Sequence, residues 1–263
     1  MSGDTLLRLG VFLGLFAALA LAEALLPRRV RVQPRRSRWL TNWGISVLDS
    51  VLLGVMALAL PALAVGAALD AGRMGWGLFN QFDWSGWVVI PACILCLDLA
   101  IWVQHLATHK VPLLWRLHRV HHADRDIDVS TAIRFHPLEI GLSMLWKIAL
   151  VYLLGAPAAA VLAFEVLLNG VSLFNHANLA LPRGLDAVLR RIIVTPDMHR
   201  VHHSVRREEC DSNYGFSFVW WDRLFGTYRA QPRDGHRGMT LGLDWQDDRP
   251  ARLGWSLMLP FRR

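Results

Sequence analysis

Cysteine is scarce in this sequence, and no nucleotide-cofactor fingerprint occurs in it. Its three cysteines, Cys93, Cys96 and Cys210, are too few and too unevenly placed for a disulfide framework. Cys93 and Cys96 form a C-x-x-C, but it lies inside the apolar stretch Ile90 to Ala100, so they read as packing residues of a span and not as a redox pair. Without a flavin or nicotinamide fingerprint or a fused haem domain, any redox chemistry must draw electrons from outside the chain. The glutamate of the zinc-protease motif H-E-x-x-H is also missing, because His105 and His109 enclose only Leu106, Ala107 and Thr108. There is no internal repeat and no low-complexity segment. The first residues are not basic and the apolar run behind them is long, so the N-terminus is kept as structure and not as a cleaved signal.

What the chain does have is apolar surface. Of its 263 residues 54% are hydrophobic, against about 45–50% in soluble domains, and the mean hydropathy is +0.31. A formal net charge of +7 raises the question of nucleic acid. The basic residues, however, cluster beside apolar runs, where the bias of cytoplasmic loops toward Lys and Arg explains them; no nucleic-acid partner is expected.

A spanning helix needs about 20 mostly apolar residues. The first run is Leu6 to Leu26, followed by a loop with Arg28, Arg29, Arg31, Arg35, Arg36 and Arg38 and no acid to offset them. That loop is expected on the cytoplasmic side, where anionic lipid head groups suit it better than an acidic protein partner. A second run, Ile45 to Leu69, carries Pro61 and Asp49 and leads to a nearly neutral outer loop, Asp70 to Trp84. A third, Trp87 to Ala107, returns to Lys110, Arg116 and Arg119. The stretch Leu138 to Leu179 is two spans long and broken at Gly155, Ala156 and Pro157, so it reads as a tight hairpin. From Pro182 onward the chain is a polar cap. The expectation is an all-α membrane bundle of about five spans with a cytoplasmic helical cap. Its segments are residues 1–39 (first span and basic loop), 40–228 (catalytic domain) and 229–263 (cytoplasmic tail).

Ten of the eleven histidines fall in compact groups on the cytoplasmic side of that topology. These are His105 with His109; His118 with His121 and His122; His136; His176; and His199 with His202 and His203. Residues three and four apart share one helix face and can aim two imidazoles at one ion. A lone interfacial histidine is usually a polar edge residue, but recurrence at helical spacing points to metal ligation. Ten ligands exceed the needs of one ion, which argues for two. Imidazole suits iron, zinc, copper and nickel, so the ligand type does not choose among them. Asp98, Glu139 and Asp197 are candidates to orient ligand rings. Asp98 shares a face with His105 and His109 but is too far along the helix to bond them, so its partner should come from elsewhere, such as His176 or His202. His236, in a loop without a partner, reads as a surface residue.

Several ordered motifs then resemble the fatty acid hydroxylase/sterol desaturase superfamily over about Leu40 to Tyr228, in its bacterial form. They are the run from His105 through Pro112 to His122, Arg134 to Glu139, Asn175 to Asn178, Thr195 to Ser204, Asn213-Tyr214-Gly215 and Trp221 to Tyr228. One departure is Leu106, where many relatives carry arginine; it is no ligand. The resemblance implies a centre of two iron ions that activates dioxygen, a separate electron-donor protein, and a bacterial inner-membrane location. The implied reaction is hydroxylation of a fatty acyl or sterol-like lipid, with the ten grouped histidines as the catalytic metal ligands. Two alternatives stay open: a desaturase on the same ligand set, and a non-catalytic metal-binding membrane protein. Transporters, however, usually place ion sites near the bilayer midplane.

Overall fold

The structure is a computed structural model describing residues 3–60 and 63–262; Pro61, expected within the second span, lies outside them. Seven helices come first: α1 (Gly3–Leu25), α2 (Arg35–Ala59), α3 (Leu63–Met74), α4 (Gly86–Lys110), α5 (Pro112–His122), α6 (Pro137–Leu154) and α7 (Ala158–His176). The cap adds α8 (Arg183–Leu189), α9 (Pro196–His202), α10 (Arg207–Cys210), α11 (Trp220–Leu224), α12 (Gly235–Gly238) and α13 (Leu253–Met258). Among the described residues β-structure is limited to isolated bridges. Five helical stretches, within residues 8–25, 35–80, 86–110, 137–154 and 158–176, are long and apolar enough to cross a membrane. Their outer faces expose Val51, Val55 and Leu58 on α2 and Leu142, Leu145 and Leu153 on α6. Water would penalise such a surface, whereas hydrocarbon solvates it. The protein is an integral membrane helical bundle.

The second apolar run departs from the expected single span. Its helix begins earlier, at Arg35, and stops at Ala59; α3 is a separate 12-residue helix packed on α6 and α7. The hairpin is where the break at Gly155 to Pro157 put it. Gly155 ends α6 with φ 65°, and the amide of Ala156 reaches back to the Val151 carbonyl, a left-handed helix stop. A Cβ at Gly155 would also meet the Trp76 carbonyl at 2.5 Å, so backbone packs directly on backbone at this end of the bundle. The core joins Val89, Cys93, Leu97 and Ile101 of α4 to Met144, Ile148 and Val151 of α6 and to Val161 and Phe164 of α7. Cys93 packs in it as expected and Cys96 is exposed; both thiols are free.

Arginine contacts tie the basic loop and α2 to the segment between α5 and α6 and to the cap. Arg38 bonds Asp124 through Nε and Nη2 at 2.7 Å each and Asp128 at 2.5 Å. Arg134 donates to Asn42, the Val120 and Pro250 carbonyls and the Ser256 hydroxyl. Glu23 accepts the amides of Val129 and Asn178 and pairs with Arg31 and Arg35. Arg28 bonds Asp197, and Arg29 donates to the carbonyls of His236 and Met239. Arg38 thus holds the segment between α5 and α6, which follows the second histidine group, while Arg28 and Arg29 reach the cap and Arg36 stays exposed.

Candidate metal centre

Nine histidines converge in two sets at the junction of bundle and cap. One set is His105, His109, His118, His122 and His202; the other is His121, His176, His199 and His203. All nine are buried. Helical geometry explains the division. Successive residues on a helix point about 100° apart, so adjacent histidines serve different sets. In α5 the i, i+4 pair His118 and His122 joins the first set and His121 turns to the second. In α9 and the residue that caps it the roles are exchanged: His199 and His203 join the second set and His202 the first. Each H-x-x-H-H motif therefore straddles both sets.

The outward nitrogens fix the tautomers. Nδ1–H of His105 donates to the Tyr214 carbonyl at 2.6 Å, that of His202 to the Ser212 carbonyl at 2.7 Å and that of His176 to the Ser172 carbonyl at 2.7 Å. Nδ1–H of His118 donates to Glu139 at 2.6 Å. A carbonyl or carboxylate only accepts, so each of these rings keeps a lone pair on Nε2. Inward, Nε2 of His105 lies 3.1 Å from Nε2 of His118, and Nε2 of His176 lies 3.2 and 3.0 Å from those of His121 and His199. Nε2 of His109, His122 and His202 is buried without a partner. Burial, and after it neighbouring rings, holds His121, His122, His199 and His203 well below the ordinary imidazole value, and burial pushes His202 down to about 3. Neutral rings with unmet lone pairs facing one another are what a cation requires. The donor atoms of each set lie within 4.8 Å of one another. Two nitrogens opposite each other on one ion at about 2.1 Å would be about 4.2 Å apart, so small ring movements close each set around an ion.

His136 does not join them. Its Nδ1 accepts the Leu138 amide as the N-cap of α6, and its Nε2 lies 3.1 Å from the Leu257 carbonyl. Both nitrogens are committed, so the expected tenth ligand is a helix cap. Of the three acids expected to orient rings, only Glu139 reaches a histidine of either set. Asp98 accepts from Trp221 Nε1 at 2.8 Å and the Phe218 amide at 3.3 Å, not from His176 or His202. Asp197 pairs with Arg28 and Arg200. His236 is buried 3.4 Å from Asp197, not on the surface, and burial lowers it to about 4.

Sequence reasoning left the backbone acceptors unassigned. Asp222 takes the amides of Tyr214 and Gly215 at 2.9 and 2.8 Å, together with Trp102 Nε1 and the Thr227 hydroxyl. This fixes the Tyr214 carbonyl that orients His105. A Cβ at Gly215 would come within 2.9 Å of the same carboxylate. The Asn213-Tyr214-Gly215 and Trp221-Asp222 motifs were the available signal; their partnership spans a loop that spacing alone does not close. A cavity of about 300 Å³ opens on the first set at His105 and His118 and is also lined by Asp49, Glu139, Lys147 and Phe216.

The fatty acid hydroxylase family profile matches residues 90–227, just over half the chain and nearly all of the histidine-bearing segment. The chain belongs to the fatty acid hydroxylase family. Among curated proteins, this family member is 30% identical to an ornithine lipid hydroxylase of Rhizobium tropici, over 85% of the chain and 67% of that protein. It is 32% identical to human alkylglycerol monooxygenase over 62% of the chain, and 28% identical to human cholesterol 25-hydroxylase over 52%. The chain spans about a third of the monooxygenase and half of the 25-hydroxylase. No solved structure matches it.

Proposed function

We propose that this family member is a di-iron monooxygenase that hydroxylates a C–H bond of a membrane lipid, using dioxygen and electrons from a separate donor protein. The observation that carries the reading is the cavity that ends on His105 and His118 between apolar helices. It joins a nine-histidine centre to a space that an acyl or sterol-like lipid can enter from the bilayer. The relatives named above are all hydroxylases or monooxygenases, which favours oxygen insertion over desaturation. Lys110 follows His109, Arg116 and Arg119 lie on the helix of the second histidine group and Arg207 bonds the His109 carbonyl, which supports a cytoplasm-facing centre; a bacterial inner membrane is part of the same reading.

His105, His109, His118, His122 and His202 would hold one ion and His121, His176, His199 and His203 the other. Iron bound there supplies the capacity to activate dioxygen with two electrons. The overall balance is one C–H bond, one dioxygen, two electrons and two protons giving one C–OH and one water. The chain's own contribution is positional. Glu139 and the Tyr214, Ser212 and Ser172 carbonyls hold ligand rings in one tautomer, and Phe135 stacks on His121 at 4.3 Å. The apolar wall from Ile101, Leu168 and Phe216 excludes water from the bond to be oxidised. Untargeted lipid mass spectrometry of cells with and without the gene tests the reading. A lipid gaining one oxygen supports it; one losing two hydrogens would show a desaturase instead, and an unchanged lipid profile would contradict both.

A further inference from the structure

The polar wall of this cavity has carboxyl groups that a hydrocarbon occupant would leave unmet. Asp49, on α2, is nine-tenths buried, and its Oδ1 has no hydrogen-bond partner. Among the described residues it forms no ion pair. Glu139 spends one oxygen on His118 and leaves Oε2 without a partner, facing the same space. Among the described residues Lys147 is the only lysine or arginine lining the cavity, and it is paired with Glu165 at 3.3 Å, a carboxylate it shares with Arg8. A carboxyl group buried among spans takes a counter-charge or a donor, or keeps its proton, and none of the described residues supplies a partner to Asp49.

We propose that this cavity takes the head group of an amine-bearing lipid, with Asp49 as the partner of its ammonium. The inference rests on the reading of the centre as a lipid hydroxylase and narrows it to a substrate class. An ammonium brings three donors and one positive charge, which meets the unmet oxygens of Asp49 and Glu139 together. A neutral lipid meets neither, and an anionic group at this end of the cavity would be repelled by both. Size agrees: at about 30 Å³ per water-sized group, the 300 Å³ space holds about ten such groups, a head group and the start of a chain. Asp49 is thereby a specificity-determining residue, and the amine anchors the substrate within the same cavity that His105 and His118 line.

The test compares two lipids that differ in this one charge, sphinganine and N-acetylsphinganine, binding to the purified, metal-loaded full chain in nanodiscs. Wild type should bind the amine about tenfold more tightly or better. Asp49→Asn should abolish that preference while affinity for the acetylated lipid and metal content stay unchanged, and Asp49→Ser should behave the same way. Equal affinities in wild type, or a preference that survives both substitutions, would overturn the proposal. The wild-type comparison decides even if a variant fails to fold. Because binding is read without turnover, the two readings fail separately. An amine preference with no oxygen incorporated into any lipid removes the hydroxylase reading, whereas hydroxylation without an amine preference removes only this inference.

Discussion

Glu139 and His118 meet at 2.6 Å across 21 residues of sequence, the carboxylate at the start of α6 accepting from the Nδ1–H of a ring in α5. It is the one carboxylate within 3.0 Å of a histidine of either set among the described residues, and it ties the cavity to the five-histidine set. Glu139→Ala is expected to weaken metal binding at that set by about ten- to a hundredfold and to leave the other set little changed. Metal titration of the purified variant, resolving two binding steps, checks this; two unshifted steps would show that the contact does not orient His118.

The division of the histidines predicts their stoichiometry. His122→Ala and His203→Ala should each lower the metal content from two ions toward one, because each removes a donor from a different set. His136→Ala should keep both ions and instead lose the cap of α6, at a cost of about 1 kcal/mol. Elemental analysis with thermal unfolding separates these outcomes, and loss of an ion in His136→Ala would restore it to the ligand shell.

The histidines show how much of the site was legible in the sequence. Spacing of three and four residues marks the rings as ligand candidates and their number argues for two ions, but the division of each H-x-x-H-H motif between two sets appears only in the fold. His136 was grouped with the other histidines although it carries a local signal of its own: a residue followed by proline at the start of an apolar helix is placed to cap it. Asp98 was expected to find a histidine from another segment, but its partners, Trp221 and Phe218, arrive from 123 and 120 residues away. The buried role of the Arg28 to Arg38 loop was hidden for the same reason, since Asp124, Asp126 and Asp128 reach it only in the fold. The hairpin at Gly155 was legible because glycine and proline act locally.

Asp98 should therefore matter for docking the cap more than for metal. Asp98→Leu strands the indole N–H of Trp221 and the Phe218 amide, at about 1–3 kcal/mol for each buried group left unsatisfied. Asp98→Asn keeps an acceptor and should cost less. Denaturation of the two variants at full metal loading measures this, and a metal affinity that collapses while stability holds would point back to a ligand-orienting role.

Arg38→Gln breaks a buried pair and should destabilise the protein by about 3–5 kcal/mol. The same network sets an acid limit. Burial alone would raise Asp128, but the Arg38 guanidinium and the Ser130 contacts outweigh it and hold the carboxyl below its ordinary 3.8. Its contribution is then fully present above pH 3.8 and is lost as the pH falls through the lower folded value. Unfolding followed against pH should show this tie intact at mildly acid pH in wild type and its acid-dependent part missing in Asp128→Asn; identical profiles would remove Asp128 from the account.

The most direct measurement is isotopic. The purified protein, loaded with iron, reconstituted with membrane lipid and supplied with a reductase and dioxygen labelled with oxygen-18, should release a lipid carrying one labelled hydroxyl oxygen. His121→Ala and His202→Ala, each lacking a donor from one set, should give none. Label absent from the lipid while dioxygen is consumed, or full incorporation by either variant, would contradict a two-metal lipid hydroxylase.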